Sequence, residues 1–295
     1  MSKTIKDITS TQTVLNDDDY FELQENAGTS KKTLWSTIRN TIALFVGAGT
    51  TTFKQDSYVM LDNDGYSRIE VDTTAGAVAI TLPLMANNTG REITIAFVKN
   101  DASADVITIS PHATDANKLS NDGLASIILP KVGDFVTLKQ SDNSGFWEIT
   151  NERITSQMTL DTYAGYGNVN NNKIPYFTNV TENVGNCHTL TSNNNTTGCV
   201  ITINRSGKYS LGIQWYGPTN SANAGISKNS SQLTASYFSI NLSDRVFGSS
   251  MTTTAVIDVS VTKYFIKGDV LRFHTDGNTP AITTLVQGFI TYLGN

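Results

Sequence analysis

The sequence predicts an all-β protein, and three observations carry that prediction. Charged residues make up only 16% of the chain, against roughly 25% in an average soluble domain. Its polarity comes instead from Thr, Asn, Ser and Gly, residues that suit short strands and tight turns. Alternating apolar and polar runs recur about every 10 residues with turn formers between them. The last stretch, Val261–Asn295, holds two strand signals, Val270–Phe273 and Leu285–Leu293. The C-terminal strand is therefore expected inside a sheet, paired on both edges.

Bulk properties exclude several classes. A net charge of −5 leaves no basic stripe for nucleic acid. The longest apolar run, about Ile42 to Ala48, falls far short of the ~20 residues a membrane helix needs. The opening MSKTIKDITS lacks the hydrophobic core of a secretory signal, so synthesis and assembly in a cytoplasm are expected. Cys187 and Cys199 flank a hairpin centred on Asn193; a disulfide and two free thiols both stay open, the reducing compartment favouring thiols.

Residues 1–50 read as a strand followed by a helix. In Asp17–Gln24, Phe21 and Leu23 alternate with Tyr20 and Glu22, and Asn26-Ala27-Gly28 breaks the strand. Thr29 or Ser30 then caps a helix with Leu34, Ile38 and Ile42 at i, i+4, i+8 beside Trp35 and Arg39, ended by Gly47 and Gly49. So small a unit cannot bury a core alone. Phe21, Leu23, Leu34, Trp35, Ile38 and Ile42 are expected to anchor it to another copy or a docking partner.

Residues 51–152 read as a β-sandwich or small barrel. The apolar rows are Ile69/Val71, Val78/Ile80/Leu82, Ile93/Ile95/Phe97, Ile107/Ile109, Leu124–Leu129, Val136/Leu138 and Trp147/Ile149. Residues 153–175, with Gly- and Asn-rich runs, read as a linker. In residues 176–295, strand candidates are Tyr176–Asn179, Cys187–Thr191, Cys199–Ile203, Tyr209–Trp215, Ala224–Lys228, Ala235–Leu242, Thr252–Val261, Val270–His274 and Leu285–Leu293, the strand count of a jelly roll. No segment repeats another, so a solenoid is not expected.

The residue chemistry points away from catalysis. His112, His188 and His274 lie far apart, and His188 and its neighbour Cys187 face opposite ways in a strand. Asp62-Asn63-Asp64-Gly65 resembles the start of a calcium loop, but Thr73 stands where the closing Glu belongs, so a plain turn is expected. His274 and Asp276 have no nucleophile elbow to serve. Asp161, Asp244, Asp258 and Asp269 do not pair on one face as glycosidase carboxylates would. No metal, cofactor or enzymatic activity is expected. Polar loops dotted with aromatic rings suit sugar faces and hydroxyls: Trp215–Asn220 first, then Ser243–Ser250 and Asp276–Thr279. Tyr216, Thr219, Asn220, Asp276 and Asn278 are the candidate receptor contacts.

Four short motifs occur in one order: RSGKYSLGIQW at 205–215, GISKNSSQL at 225–233, FIKGDVLRF at 265–273 and VQGFITYL at 286–293. Through Gly207/Tyr209, Lys228/Asn229, Gly268/Asp269 and Gly288/Phe289, they resemble the jelly-roll heads of the tumour necrosis factor and complement globular-head family. Residues 165–185 resemble the lead into such heads in bacteriophage fibres. Residues 58–149 resemble a β domain of phage tail proteins, and the first 46 residues resemble a tail-fibre attachment segment. The resemblance implies a homotrimer around a three-fold axis, with Tyr209, Trp215, Tyr264, Phe289 and Tyr292 as candidate interface residues. It implies a virion protein, a tail fibre or receptor-binding protein. Residues 1–50 would hold the particle, 51–152 would be a spacer, and 176–295 would be a head touching a host-surface glycan or protein. No coiled-coil shaft separates anchor from head, so a capsid head fibre, decoration protein or tail adaptor with a purely structural role is the alternative.

Overall fold

The computed structural model describes residues 20–24, 30–34, 50–62, 64–101, 104–140, 145–162, 173–194, 196–216, 222–251, 256–275 and 286–295. In the first unit, β1 (Tyr20–Gln24) and β2 (Ser30–Leu34) form an antiparallel hairpin in which Phe21 pairs with Thr33. Ser30–Leu34 is thus a strand, where the sequence suggested the start of a helix. The neighbouring β1 supplies backbone partners that outweigh a helical pattern whose apolar positions only begin at Leu34. Trp35, Ile38 and Ile42 lie outside the described residues.

The central unit is a two-sheet sandwich with an unexpected winding. Its strands are β3 (Thr50–Lys54), β4 (Tyr58–Val59), β5 (Tyr66–Asp72), β6 (Val78–Thr81), β7 (Glu92–Lys99), β8 (Ile107–Ser110), β9 (Ile127–Leu129), β10 (Phe135–Gln140) and β11 (Trp147–Arg153). One sheet runs β11-β10-β7-β5-β3 and the other β4-β6-β8-β9. The chain passes from one sheet to the other at each step from β3 to β8, so β3, β5 and β7 stack in parallel and so do β4, β6 and β8. These are three coils of a short solenoid, continued by β9–β11 in antiparallel sense. The expectation of no solenoid is corrected here. Thr52 pairs with Ile69 and Ile69 with Ile95, so the coils differ in length and leave no fixed period to detect. Inside, Ile69, Ile95 and Val136 form one ladder and Ile80, Ile109 and Ile127 the facing one, all fully buried.

The head has ten strands: β12 (Gln157–Thr162), β13 (Asn179–Val184), β14 (His188–Asn194), β15 (Gly198–Ile203), β16 (Gly207–Tyr216), β17 (Ala222–Lys228), β18 (Arg245–Met251), β19 (Val256–Phe265), β20 (Val270–Thr275) and β21 (Val286–Gly294). They form two five-stranded sheets, β13-β12-β21-β16-β19 and β14-β15-β20-β17-β18. The antiparallel pairs β12/β21, β15/β20, β16/β19 and β17/β18 nest one inside the next. A long hairpin rolled on itself gives this order, which is a jelly roll. As the sequence predicts, β21 sits between two neighbours, β12 and β16.

Four strand expectations change, the Tyr176–Asn179 candidate among them, since the strand there, β13, begins only at Asn179. The stretch taken for a linker contains β12, whose Met158 and Leu160 are buried; their alternation with Gln157 and Thr159 is overshadowed by the Gly/Asn run that follows. Ala235–Leu242 is not a strand but carries two 3-10 turns, Tyr237–Ser239 and Leu242–Asp244. The strand there is β18, in the stretch read as a polar loop, and β13 lies in a run with few apolar residues. One hydrophobic cluster includes Trp147 of the central unit, Ile154 and Met158 after it, and Tyr209 and Tyr292 of the head.

Candidate functional site

The base of the head is clamped to the central unit. Arg205, just before β16, forms a buried ion pair with Glu152 of β11. Its guanidinium carbon lies 5.2 Å from the centroid of the Tyr292 ring, and the Tyr292 hydroxyl donates to Glu152 Oε1 at 2.6 Å. The Tyr209 hydroxyl lies 2.7 Å from the Arg205 carbonyl and 2.8 Å from that of Cys187. Burial pushes both tyrosines' pKa values well above the ordinary range. Beside this, Asp122 accepts from the Ser206 amide at 2.7 Å and the Ser206 hydroxyl at 2.6 Å. Lys267 Nζ donates to the Asp122 carbonyl at 2.8 Å. A cleft of about 920 Å³ opens next to these bonds, with Glu148 and Phe146 on one wall and Tyr264 and Ile266 on the other.

This geometry sorts the interface candidates. Tyr209 and Tyr292 are buried within one chain and leave water without help from a second copy. That corrects their reading as interface residues. They alternate in phase with Leu211 and Ile290, on the inward side of the sheet. Phe289 lies on the other side: Gly288 next to it faces the interior rings of Phe177 and Phe273. The Phe289 ring covers Gly212 of β16 so closely that a Cβ there would meet it at 2.6 Å. Tyr264, 53% exposed, and Leu293 share this outward face. The backbone of Trp215 belongs to β16, but its side chain is outside the described residues.

Of the candidate receptor contacts, Tyr216 is described by its backbone in β16 alone, and Thr219, Asn220, Asp276 and Asn278 lie outside the described residues. Every clamp residue sits at the base of the head. At the opposite end stop Thr162, Tyr216 and Met251, and there Ala222, Val256 and Val286 begin, with Tyr216 opposite Val256, Ala222 opposite Met251 and Thr162 opposite Val286. Thr275 ends there too, near Ala224.

The third candidate loop, Ser243–Ser250, lies largely in edge strand β18 and presents Phe247 to solvent, as the turn before it presents Phe238 and Leu242. Sequence reasoning missed this group because it read the segment as polar. The Tyr237 ring lies across Gly225 and Gly248, which pair directly between β17 and β18, and Arg245 donates to the carbonyls of Phe238 and Ile240. Two opposed glycines make a flat seat that no residue with a Cβ could offer.

The groups with chemical potential are engaged structurally. In the 61–65 turn, Asp62 accepts from Asn87 at 2.6 Å and Asn88 at 2.8 Å, which holds its carboxyl below the usual range. The buried Arg91 guanidinium donates to the carbonyls of Leu61, Asp62 and Asp64. An arginine thus sits where a calcium loop would gather its ion. Ser227 and His274 are 2.7 Å apart, but both are fully buried, so no substrate reaches them. Both cysteines are free and buried; Cys199 pairs with Asn193, while Cys187 precedes the hairpin. Burial pushes the Cys187 thiol up to about 11 and Cys199 higher still. Among the described residues, no three His, Cys, Asp or Glu side chains cluster as a metal site, and no helix is long and apolar enough to cross a membrane.

No family model matches the sequence, and no characterised protein matches it significantly. Solved structures similar to part of the chain include murine APRIL, 10% identical, covering 46% of this chain and 99% of that one with TM-score 0.32. The globular domain of zebrafish complement 1qA is 12% identical over 48% of this chain and 99% of its own, TM-score 0.31. Bushbaby GITRL is 17% identical over 48% and 96%, TM-score 0.29. The jelly roll of this head rests on its own strand order, not on these likenesses.

Proposed function

We propose that this chain is a trimeric virion protein of a bacteriophage, a tail fibre or receptor-binding protein, assembled in the host cytoplasm. Residues 1–50 hold it to other virion proteins, and the far end of the head meets a host-surface glycan or protein. The observation that carries the reading is the outward face of β13-β12-β21-β16-β19. Phe289 packs over Gly212 there and is itself half-buried, with the exposed Tyr264 and Leu293 on the same face. Burying one such ring against a neighbour contributes about 2 kcal/mol, and three-fold packing repeats that gain in each copy. The Asn- and Thr-bearing stretches 217–221 and 276–285 suit contact with a hydroxylated surface by their residue chemistry. Three weak sites acting together gain ~10²–10⁴ in avidity.

A second reading, a capsid head fibre, decoration protein or tail adaptor, draws support from the rigid clamp at the base of the head, which suits a fixed spacer. Two experiments separate the possibilities. Phe289→Asp should weaken the assembly, so that it forms only at higher concentration, while leaving the chain folded; an unchanged assembly would remove the proposed face. Labelled protein imaged on particles should show the end of the head opposite the clamp pointing outward; heads enclosed by neighbouring subunits would favour the structural role.

A further inference from the structure

The central sandwich has two unlike ends. At one, β9 and β11 face the head: Leu124 and Ile127 lie beside Ile203 and Arg205, and Val132 lies beside Val184. At the other, β3 and β4 are each the outermost strand of their sheet, so among the described residues each has one edge with no strand beside it. Large apolar side chains stand out around this first coil: Phe53 is 52% exposed, Val59 59% and Leu61 58%. Lys54 closes the interior, its Nζ 3.7 Å from the Tyr58 ring centroid, but it does nothing for the edges. Solenoids need a polar cap at such an end, and an open edge with apolar flanks invites another strand.

The same chain carries the complementary deficiency. The β1–β2 hairpin pairs with no other strand, and an isolated two-stranded hairpin is at best marginally stable in water. It needs a sheet edge, and β3 needs a strand. The geometry points to an exchange between copies: the β1–β2 hairpin of one chain adds to the open β3 edge of a neighbour and covers Phe53. Among the described residues neither the hairpin nor the β3 edge has a further strand partner, and a second copy would supply both. The connection 35–49 can span roughly 50 Å when extended at 3.3–3.6 Å per residue, far more than the ~4.8 Å between adjacent strands. Each copy offers one hairpin and one edge, so the contact is heterologous, and it forms a ring where the rotation between copies closes. This goes beyond the proposed head contact and does not depend on it.

The test uses the full chain with photoreactive benzoylphenylalanine at position 53, made in isotopically light and heavy forms and mixed in equal parts during refolding. Cross-links should join position 53 to peptides from residues 20–34, with about half of them mixing light and heavy chains, as random exchange requires. Links only within one isotope would mean the hairpin folds onto its own chain. Links to other segments, or none, would mean it docks elsewhere. Each of these three outcomes overturns the exchange. The same links should persist in Phe289→Asp chains, so failure of the head interface and failure of the exchange are read separately.

Discussion

Acid should unfold the head through two histidines before the carboxylates act. His188 is buried with its Nε2 unpartnered and its Nδ1 3.5 Å from Ser156 Oγ. His274 is buried between Ser227 Oγ at 2.7 Å and the Ala235 carbonyl at 3.3 Å. Burial lowers both pKa values to about 4 from an ordinary 6.5. The sign follows: above pH 6.5 both are neutral folded or unfolded, and below it only the unfolded chain takes up protons. Stability is therefore lost as pH falls from 6.5 towards 4. The full loss is roughly 3 kcal/mol per histidine, and about 4 kcal/mol for the pair between pH 7 and 5. That corresponds to a fall of roughly 10 °C in melting temperature for a body of this size. Asp134, held above the usual carboxylate range mainly by burial, gains as pH falls and works in the opposite sense. The assay is thermal unfolding by circular dichroism from pH 7 to 5, on the parent and on a His188→Gln, His274→Gln double variant. Whatever its absolute stability, the double variant should lose most of the slope. A parent melting temperature flat across this range, or a double variant with the parent's slope, would refute the reasoning.

Other consequences of the packing are as direct. Gly248→Ala puts a methyl into the Tyr237 ring and should cost about 1–3 kcal/mol by overpacking, read by denaturant unfolding. Arg205→Met strands the Glu152 carboxylate and should cost about 3–5 kcal/mol, much of it regained in an Arg205→Met, Glu152→Gln double variant. Native protein at pH 8 should not react with an aromatic disulfide reagent at Cys187 or Cys199, whereas denatured protein should release two equivalents.

The sequence made strand positions legible wherever one face is buried, as in Ile69/Val71 and Val78/Ile80/Leu82, because alternation records the core face. The connectivity of the central unit was not legible: parallel and antiparallel ladders bury the same apolar rows, and coils of unequal length erase any period. In the head, β18 escaped notice because Gly248 interrupts its pattern to seat Tyr237. Counting aromatics misled about the interface. The side each ring takes is decided by strand phase: Tyr292 follows the inward Ile290, while Phe289 follows the outward Gln287 and Thr291. The phase was present in the sequence but needed β21 paired on both sides before it meant inside or outside. That Tyr216 and Thr275 end on the same side of the head depends on the nested order, which no local pattern encodes.

Everything proposed for function depends on whether Phe289 meets a neighbouring copy. Sedimentation equilibrium of the purified chain over a wide concentration range tests this most directly. The mass of three chains is the predicted result, held down to lower concentration than in Phe289→Asp; a folded single chain at every concentration would contradict it.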